Sequence, residues 1–328
     1  MIAEKLGDNT FYGCTATRWG NLFEPITKDY AEQILNTDIS EHGSLEGVIE
    51  RQRYSPDGIG VVKVKCTDET YEYFIVLFEF KAPFSTMPDG HIPEHYVPQL
   101  QTGLLSIPIC DFAIFVNNCY RKCRLQDMKL LYGENLYDSE FHKKDKLYNL
   151  NKVYACGIIY LYEQLNEQLN EQLNILDCGD MNEDGFARVL RLIDDKELIP
   201  YYCKILLINT NDLEFVKLHE IEQKNNNKID MQINDYVNDY VNDYINTNTD
   251  LFNKYCHNNR HKPFGYIPYK LMKSDIIIEQ RDDKWREKIE QPIKDFLKLL
   301  DDKLIIRNKS IDEQNIIDVP DVLEIIEE

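Results

Sequence analysis

Two short segments concentrate the residues able to do chemistry: Ser55-Pro56-Asp57-Gly58 and, after a strand and hairpin, Phe78-Glu79-Phe80-Lys81. Side chains alternate along a strand, so Glu79 and Lys81 project from one face while Phe80 points to the other, into the core. A carboxylate and an ammonium then share one small space. Asp57 lies just past a Ser-Pro turn, where a neighbouring strand end can bring it to the same spot. Two carboxylates and a backbone carbonyl, that of Phe80, are hard oxygen ligands suited to Mg2+ or Mn2+. Such an ion polarises a phosphate and lowers the pKa of a bound water, while Lys81 orients that water or stabilises charge as it attacks phosphorus. On an exposed strand, Glu-x-Lys is an ordinary solvated ion pair worth ~0–1 kcal/mol. Here Val76-Leu77-Phe78 before it and Ala82-Pro83-Phe84 after it indicate a buried strand, where an unpaired charge is costly and a partner or an ion is expected.

The elements that must position these groups follow from periodicity. Trp19, Leu22, Phe23, Ile26, Tyr30 and Ile34 have helical spacing, with Pro25 restricting regular helix to the residues near and after it. Glu46 to Tyr54, Gly60 to Cys66 and Tyr71 to Lys81 are rich in Val, Ile, Tyr and Phe and read as neighbouring strands. A second helix is expected from Pro98 through Leu105, and Cys110 to Val116 as a buried strand. Much later, Leu271 to Glu279 gives another strand, and Trp285, Ile289, Ile293, Phe296, Leu297 and Leu300 line one face of a long helix. The tail after Asp302 reads as acidic and loosely attached. Between these parts, Glu163 to Asn174 repeats EQLN three times and Asn234 to Asn246 reads NDYVNDYVNDYIN. A four-residue period drifts by about 40° per repeat around a helix, so its apolar stripe spirals off any one face. With the Asn-rich Gln223 to Lys228, these tracts mark 127–263 as an insertion that repeat expansion has enlarged.

The 328 residues allow one large domain or two ordinary ones, and a 43% hydrophobic content excludes disorder throughout. Lys and Arg total 37 against 57 Asp and Glu, a net charge of −20, which argues against a protein that coats nucleic acid or an anionic membrane. A local basic groove is compatible with that sum. No stretch approaches the roughly 18 apolar residues of a membrane span, and the start from Met1 to Asp8 lacks a signal-peptide segment, so an intracellular chain without membrane partners is expected. Nine cysteines, an odd number without CxxC spacing, are expected as reduced thiols, mostly in the core.

Taken in order, the motifs resemble the phage-lambda-type exonucleases, or YqaJ-like viral recombinases, of the PD-(D/E)xK nuclease superfamily. Trp19-Gly20-x3-Glu24 looks like the family's W-G-x3-E helix, Ser55-Pro56-Asp57-Gly58 its S-P-D-G, and Glu79-Phe80-Lys81-Ala82-Pro83-Phe84 its E-L-K-C-P-F. Tyr96-x2-Gln99-x-Gln101 matches its Y-x2-Q-x-Q helix, followed by the strand Asp111 to Val116. The resemblance implies an α/β fold with a PD-(D/E)xK (restriction-endonuclease-like) core: a central mixed β-sheet flanked by helices, as one nuclease domain over 1–328. Its core would be 8–126 and 264–302, with the insertion 127–263 and an acidic tail 303–328. It further implies that Asp57, Glu79 and the Phe80 carbonyl hold Mg2+, for which Mn2+ can substitute, and that Lys81 is the catalytic lysine. Glu24 would reach the metal as an outer or water-mediated ligand, and Gln99 and Tyr96 would contact the scissile region or the DNA backbone.

Cations for the phosphate backbone are sought in Arg121-Lys122-x-Arg124, His142-Lys143-Lys144-x-Lys146, and Lys254, Arg260, Lys262, Lys270 and Lys273, with Gln101 beside them on the glutamine helix. Arg18 is the candidate for the family's 5′-phosphate arginine. The implied activity is a 5′-to-3′ exonuclease on linear double-stranded DNA, serving viral recombination, repair or genome processing. A single-strand annealing protein and a homotrimer are the implied partners, and the host cytoplasm, nucleus or virus replication site the implied location. An endonuclease or RNA-degrading relative is the nearest alternative; a catalytically silent scaffold on the same fold is one of another class. One departure is the gap of 21 positions from Gly58 to Phe78, longer than the family's, which accommodates an extra hairpin.

Overall fold

The computed structural model describes residues 13–66, 69–125, 128, 153–164, 175–208 and 233–317. The elements run α1 (Thr15–Leu35), β1 (Ile39–Ser40), β2 (Leu45–Glu46), β3 (Arg53–Tyr54), β4 (Gly58–Lys65), β5 (Tyr71–Lys81), α2 (Val97–Ser106) and β6 (Phe112–Lys122). There follow β7 (Ala155–Glu163), β8 (Leu176–Asp177), α3 (Glu183–Asp194), β9 (Leu198–Tyr202), β10 (Leu207–Ile208), α4 (Ile233–Asn258), β11 (Lys262–Gln280) and α5 (Trp285–Ile317).

One mixed sheet organises the chain, in the order β1-β4-β5-β6-β11-β7-β10, with β8 beside β11 and β9 beside β7. β4 and β5 form the antiparallel hairpin that occupies the long gap between the two motifs. β5 and β6 are parallel, and the crossover between them carries α2. The 19-residue β11 pairs β7 through its first half and β6 through its second, with a bulge near Leu271, so one strand joins both parts of the sheet. Residues 155–163, which the sequence reading assigns to the insertion, are thus a strand of the central sheet.

Helices cover both faces. On one, Trp19, Phe23, Ile26 and Tyr30 of α1 pack with Phe78, Phe80, Tyr120, Tyr269 and Phe186; Phe23 stacks on Tyr120 at 4.8 Å and meets Tyr269 edge-on at 5.5 Å. On the other, Leu100 and Leu104 of α2 cover Leu77, Ala113 and Phe115. Coverage on both sides explains why Val76 to Phe80 are buried without alternation. A further aromatic cluster around Tyr160, Tyr162 and Phe252 ties α4 to β7.

Several boundaries differ from expectation. α1 passes through Pro25 rather than starting near it; proline forfeits one backbone bond, and a face of nine buried residues outweighs that loss. Glu46 to Tyr54 is not one strand but the β2–β3 pair around a turn, where Arg51 adopts φ 65°. α5 continues well past Asp302 to Ile317, so the first part of the expected tail is helical. Arg51 clamps Asp301 of that helix with bonds of 2.8 and 3.0 Å. All nine cysteines are free and six are buried, as expected for reduced core thiols.

Candidate functional site

The two chemical motifs meet where the β4–β5 hairpin pairs Gly58 with Phe78. Asp57, just ahead of β4, accepts the Phe80 N–H through Oδ2 at 2.8 Å. That bond joins the Ser-Pro turn to the end of β5. Lys81 Nζ donates to Glu79 Oε1 and, at 2.9 Å, to the Phe80 carbonyl, and lies 3.6 Å from Asp57 Oδ2. Three oxygens, two of them from carboxylates, therefore surround one cationic point. They are the same three that the sequence reading assigns to a metal ion.

α2 supports this point from the adjoining face. Gln99 donates to Glu79 Oε1 at 2.6 Å, and the Tyr96 ring, packed on Phe115 at 5.4 Å, lies 5.3 Å from Lys81 Nζ. Glu79 is fully buried and, among the described residues, its Oε2 has no hydrogen-bond partner. Burial pushes its pKa up to about 7 despite the Lys81 charge, with Asp57 adding repulsion. The Lys81 pKa is raised: burial alone would lower it, but Glu79 and Asp57 prevail.

On the α1 side the site opens into a cavity of about 380 Å3 lined by Glu24, Lys28, His42, Asp57 and Phe80. Burial, then the Asp57 charge, raises the Glu24 pKa. Pro25 cannot donate to the Asn21 carbonyl, and both residues line this cavity. Among the described residues, no three His, Cys, Asp or Glu side chains close on a single point. Glu24 thus faces the Asp57 carboxylate across the cavity, while the convergent set consists of Asp57, Glu79 and the Phe80 carbonyl. Two carboxylates and a carbonyl match the preference of a hard divalent cation, and the orphaned Glu79 Oε2 leaves further acceptor capacity.

The expected DNA contacts fare differently. Lys122 is a correction: it is buried, its ammonium donating to the carbonyls of Gly179 at 3.0 Å and Met181 at 2.6 Å. It fastens β6 to the turn before α3. Gln101 is another: its side chain donates to Glu279 at 2.6 Å and to the Gln280 carbonyl at 2.7 Å and accepts from Asp282 N at 2.8 Å, stapling α2 to the end of β11. Arg18 pairs with Asp194 at 3.0 Å. Arg121 holds the carbonyls of Phe84 at 3.2 Å and Tyr120 at 2.7 Å, bracing the segment that follows Lys81. Arg124, just past β6, is half-buried. Lys270 is fully buried in β11. His142 to Lys146 lie outside the described residues, as does nearly all of the EQLN tract.

Motif reading missed Tyr54, which immediately precedes Ser55-Pro56-Asp57. Its hydroxyl adjoins Glu79, and burial followed by the Glu79 charge pushes its pKa far above the usual tyrosine value. The signal was an aromatic residue ahead of a Ser-Pro turn, paired with a glycine one turn after Gln99. A Cβ on Gly103 would fall 2.5 Å from Tyr54 Cζ and 2.6 Å from Leu77 Cδ2. Gly103→Ala should therefore destabilise the protein by up to about 2 kcal/mol in urea unfolding, because overpacking of ~1–3 kcal/mol offsets and exceeds the ~1 kcal/mol that alanine gains in a helix.

By class, then, this is a mixed α/β protein whose curled central sheet is flanked by helices and carries an oxygen-lined cationic site at the end of one hairpin. No protein-family model matches the chain. It is similar to a viral protein: "Protein D345L" of African swine fever virus, 25% identical over 199 residues in a Malawi tick isolate, covering 55% of this chain and 54% of that protein. The counterpart from the Vero-adapted Badajoz strain is 25% identical over 200 residues, covering 56% and 55%. The chain spans about half the length of these curated relatives. Their viral source fits an origin in a large DNA virus. Among the described residues, no helix is long and apolar enough to cross a membrane.

Proposed function

We propose that the chain is a Mg2+-dependent deoxyribonuclease of the PD-(D/E)xK type, an exonuclease that digests linear double-stranded DNA from its 5′ ends in viral recombination or genome processing. The observation that carries this reading is the convergence of Asp57 Oδ2, Glu79 Oε1 and the Phe80 carbonyl on the Lys81 ammonium. The order α1, β4–β5 hairpin, α2 and parallel β6 supports it, since it brings Asp57, Glu79 and Lys81 to one sheet end.

Asp57, Glu79 and the Phe80 carbonyl would hold Mg2+ or Mn2+, with Glu24 reaching it through water. When bound, the cation supplies polarisation of the phosphate and a more acidic water. Lys81 orients the attacking water or steadies charge on the phosphoryl oxygens. Gln99 fixes Glu79 so that its carboxylate keeps one orientation. The duplex backbone meets Arg121 and Arg124 beside the site, while Lys122 and Gln101 serve the framework. With net charge −20, the binding cations must be local, and affinity should fall steeply with salt.

The test is nucleotide release from linear duplex in Mg2+. Lys81→Ala and Asp57→Asn should each slow it by about 10²-fold or more; equal rates in all three proteins would defeat the mechanism. Closed circular DNA and RNA should be spared, and their cleavage would move the reading to an endonuclease or a ribonuclease on the same site.

A further inference from the structure

We propose that the Tyr54 hydroxyl holds the second carboxylate oxygen of Glu79, making Tyr54 a positioning residue for the candidate site. The functional part of this inference rests on the reading of Glu79 as a metal-holding carboxylate. Glu79 Oε1 already receives Lys81 and, at 2.6 Å, Gln99. Among the described residues, Glu79 Oε2 and the Tyr54 hydroxyl are both buried without a hydrogen-bond partner. Buried polar groups are rarely left so, and these two adjoin each other. A small rotation of either side chain makes each the partner of the other.

The surroundings leave the phenol little alternative. Gly103 of α2 lies against both the hydroxyl end of its ring and Leu77 of β5, and a Cβ there would come within 2.6 Å of the hydroxyl itself. Leu77 and Glu79 share one face of β5, and Tyr54 belongs to the cluster that covers this face. Gly103 lies one turn after Gln99 on the same side of α2. The helix thus offers an amide for one oxygen of Glu79 and, by lacking a side chain four residues later, room for the phenol that serves the other. Leu100, Leu104 and Phe115 close the cluster around the ring. With a donor on each oxygen, the carboxylate is held in a single orientation toward the cation site.

Tyr54→Phe keeps the ring and removes only the hydroxyl. In calorimetric titration with Mg2+ or Mn2+ it should bind about 10-fold more weakly than wild type, the scale on which outer-shell partners of metal ligands act. Without metal, Tyr54→Phe should lower the melting temperature by about 2 °C in the wild-type background but by under ~0.5 °C in a Glu79→Leu background. Equal losses in both backgrounds would overturn the contact, and cation binding equal to wild type would overturn the positioning role. If wild type takes up neither cation while the thermal coupling persists, the nuclease reading fails and the Tyr54–Glu79 contact stands.

Discussion

Under the proposed nuclease mechanism, Glu79→Gln is expected to slow Mg2+-dependent nucleotide release by about 10³-fold or more, because it removes one of the two carboxylates proposed to hold the cation while keeping the shape of the side chain. The same substitution should stabilise the metal-free protein, increasingly so as pH rises. The Glu79 pKa lies at about 7 in the folded protein, chiefly through burial, against 4.5 for the ordinary group. The folded state therefore holds more protons than the unfolded one between those values, and stability falls as pH increases across the interval. Below about pH 4.5 both states are protonated and the penalty vanishes; above about 7 it is complete. A shift of this size corresponds to about 3 kcal/mol. Glutamine cannot ionise, so urea unfolding in chelator should find wild type losing ground to Glu79→Gln from pH 5 to pH 8. A stability difference that stays flat, or moves the other way, would show that Glu79 is not held above its ordinary range. Lys81 retains the Phe80 carbonyl at 2.9 Å and Asp57 at 3.6 Å, so the amide variant does not strand a buried ammonium. This site is thus expected to sacrifice stability for the cation binding proposed for it.

Much of that site was legible because its parts are local. Alternation along Tyr71 to Lys81 placed Glu79 and Lys81 on one face and Phe80 on the other, and β5 has those bounds. The Ser-Pro-Asp-Gly turn put Asp57 at a strand start, and Trp19 to Ile34 gave the buried stripe of α1. Features that depend on distant pairing stayed hidden. Lys122 looks like a solvated strand end until the turn between β8 and α3 covers it with two carbonyls. Gln101 reads as a DNA contact on the glutamine helix until the end of β11 arrives with Glu279 and Gln280. Nothing local to Tyr54 announces that Gly103, 49 positions later, leaves space for its ring. The same holds for β7: its residues fall within the stretch assigned to the insertion, and only pairing with β11, about 100 positions away, makes it part of the sheet.

That last placement has a large consequence for stability. Ile159 of β7 is fully buried in the cluster that also contains Phe23 and Tyr269, and it pairs with Ile267 on one side and Tyr202 on the other. A carboxylate there would meet apolar side chains, with water excluded. The cost of burying such a charge, or of keeping it protonated against neutral solvent, is several kcal/mol. A loss of about 5 kcal/mol matches the whole stability of a marginal protein. Ile159→Asp should therefore abolish the cooperative unfolding transition. It should also remove the far-UV signature of α1, although that helix is more than 120 residues away in the chain. Glu163→Ala at the end of the same strand is the control. Its side chain is 38% exposed and only 4.0 Å from Lys262, a surface pair whose removal should cost under ~1 kcal/mol. If Ile159→Asp unfolded with the wild-type midpoint, β7 would be an appendage and the sheet end bearing Asp57, Glu79 and Lys81 would stand without it. The expected collapse instead makes β7 a condition of that site, because β11 cannot brace β6, nor β6 brace β5, when one flank of β11 has lost its partner.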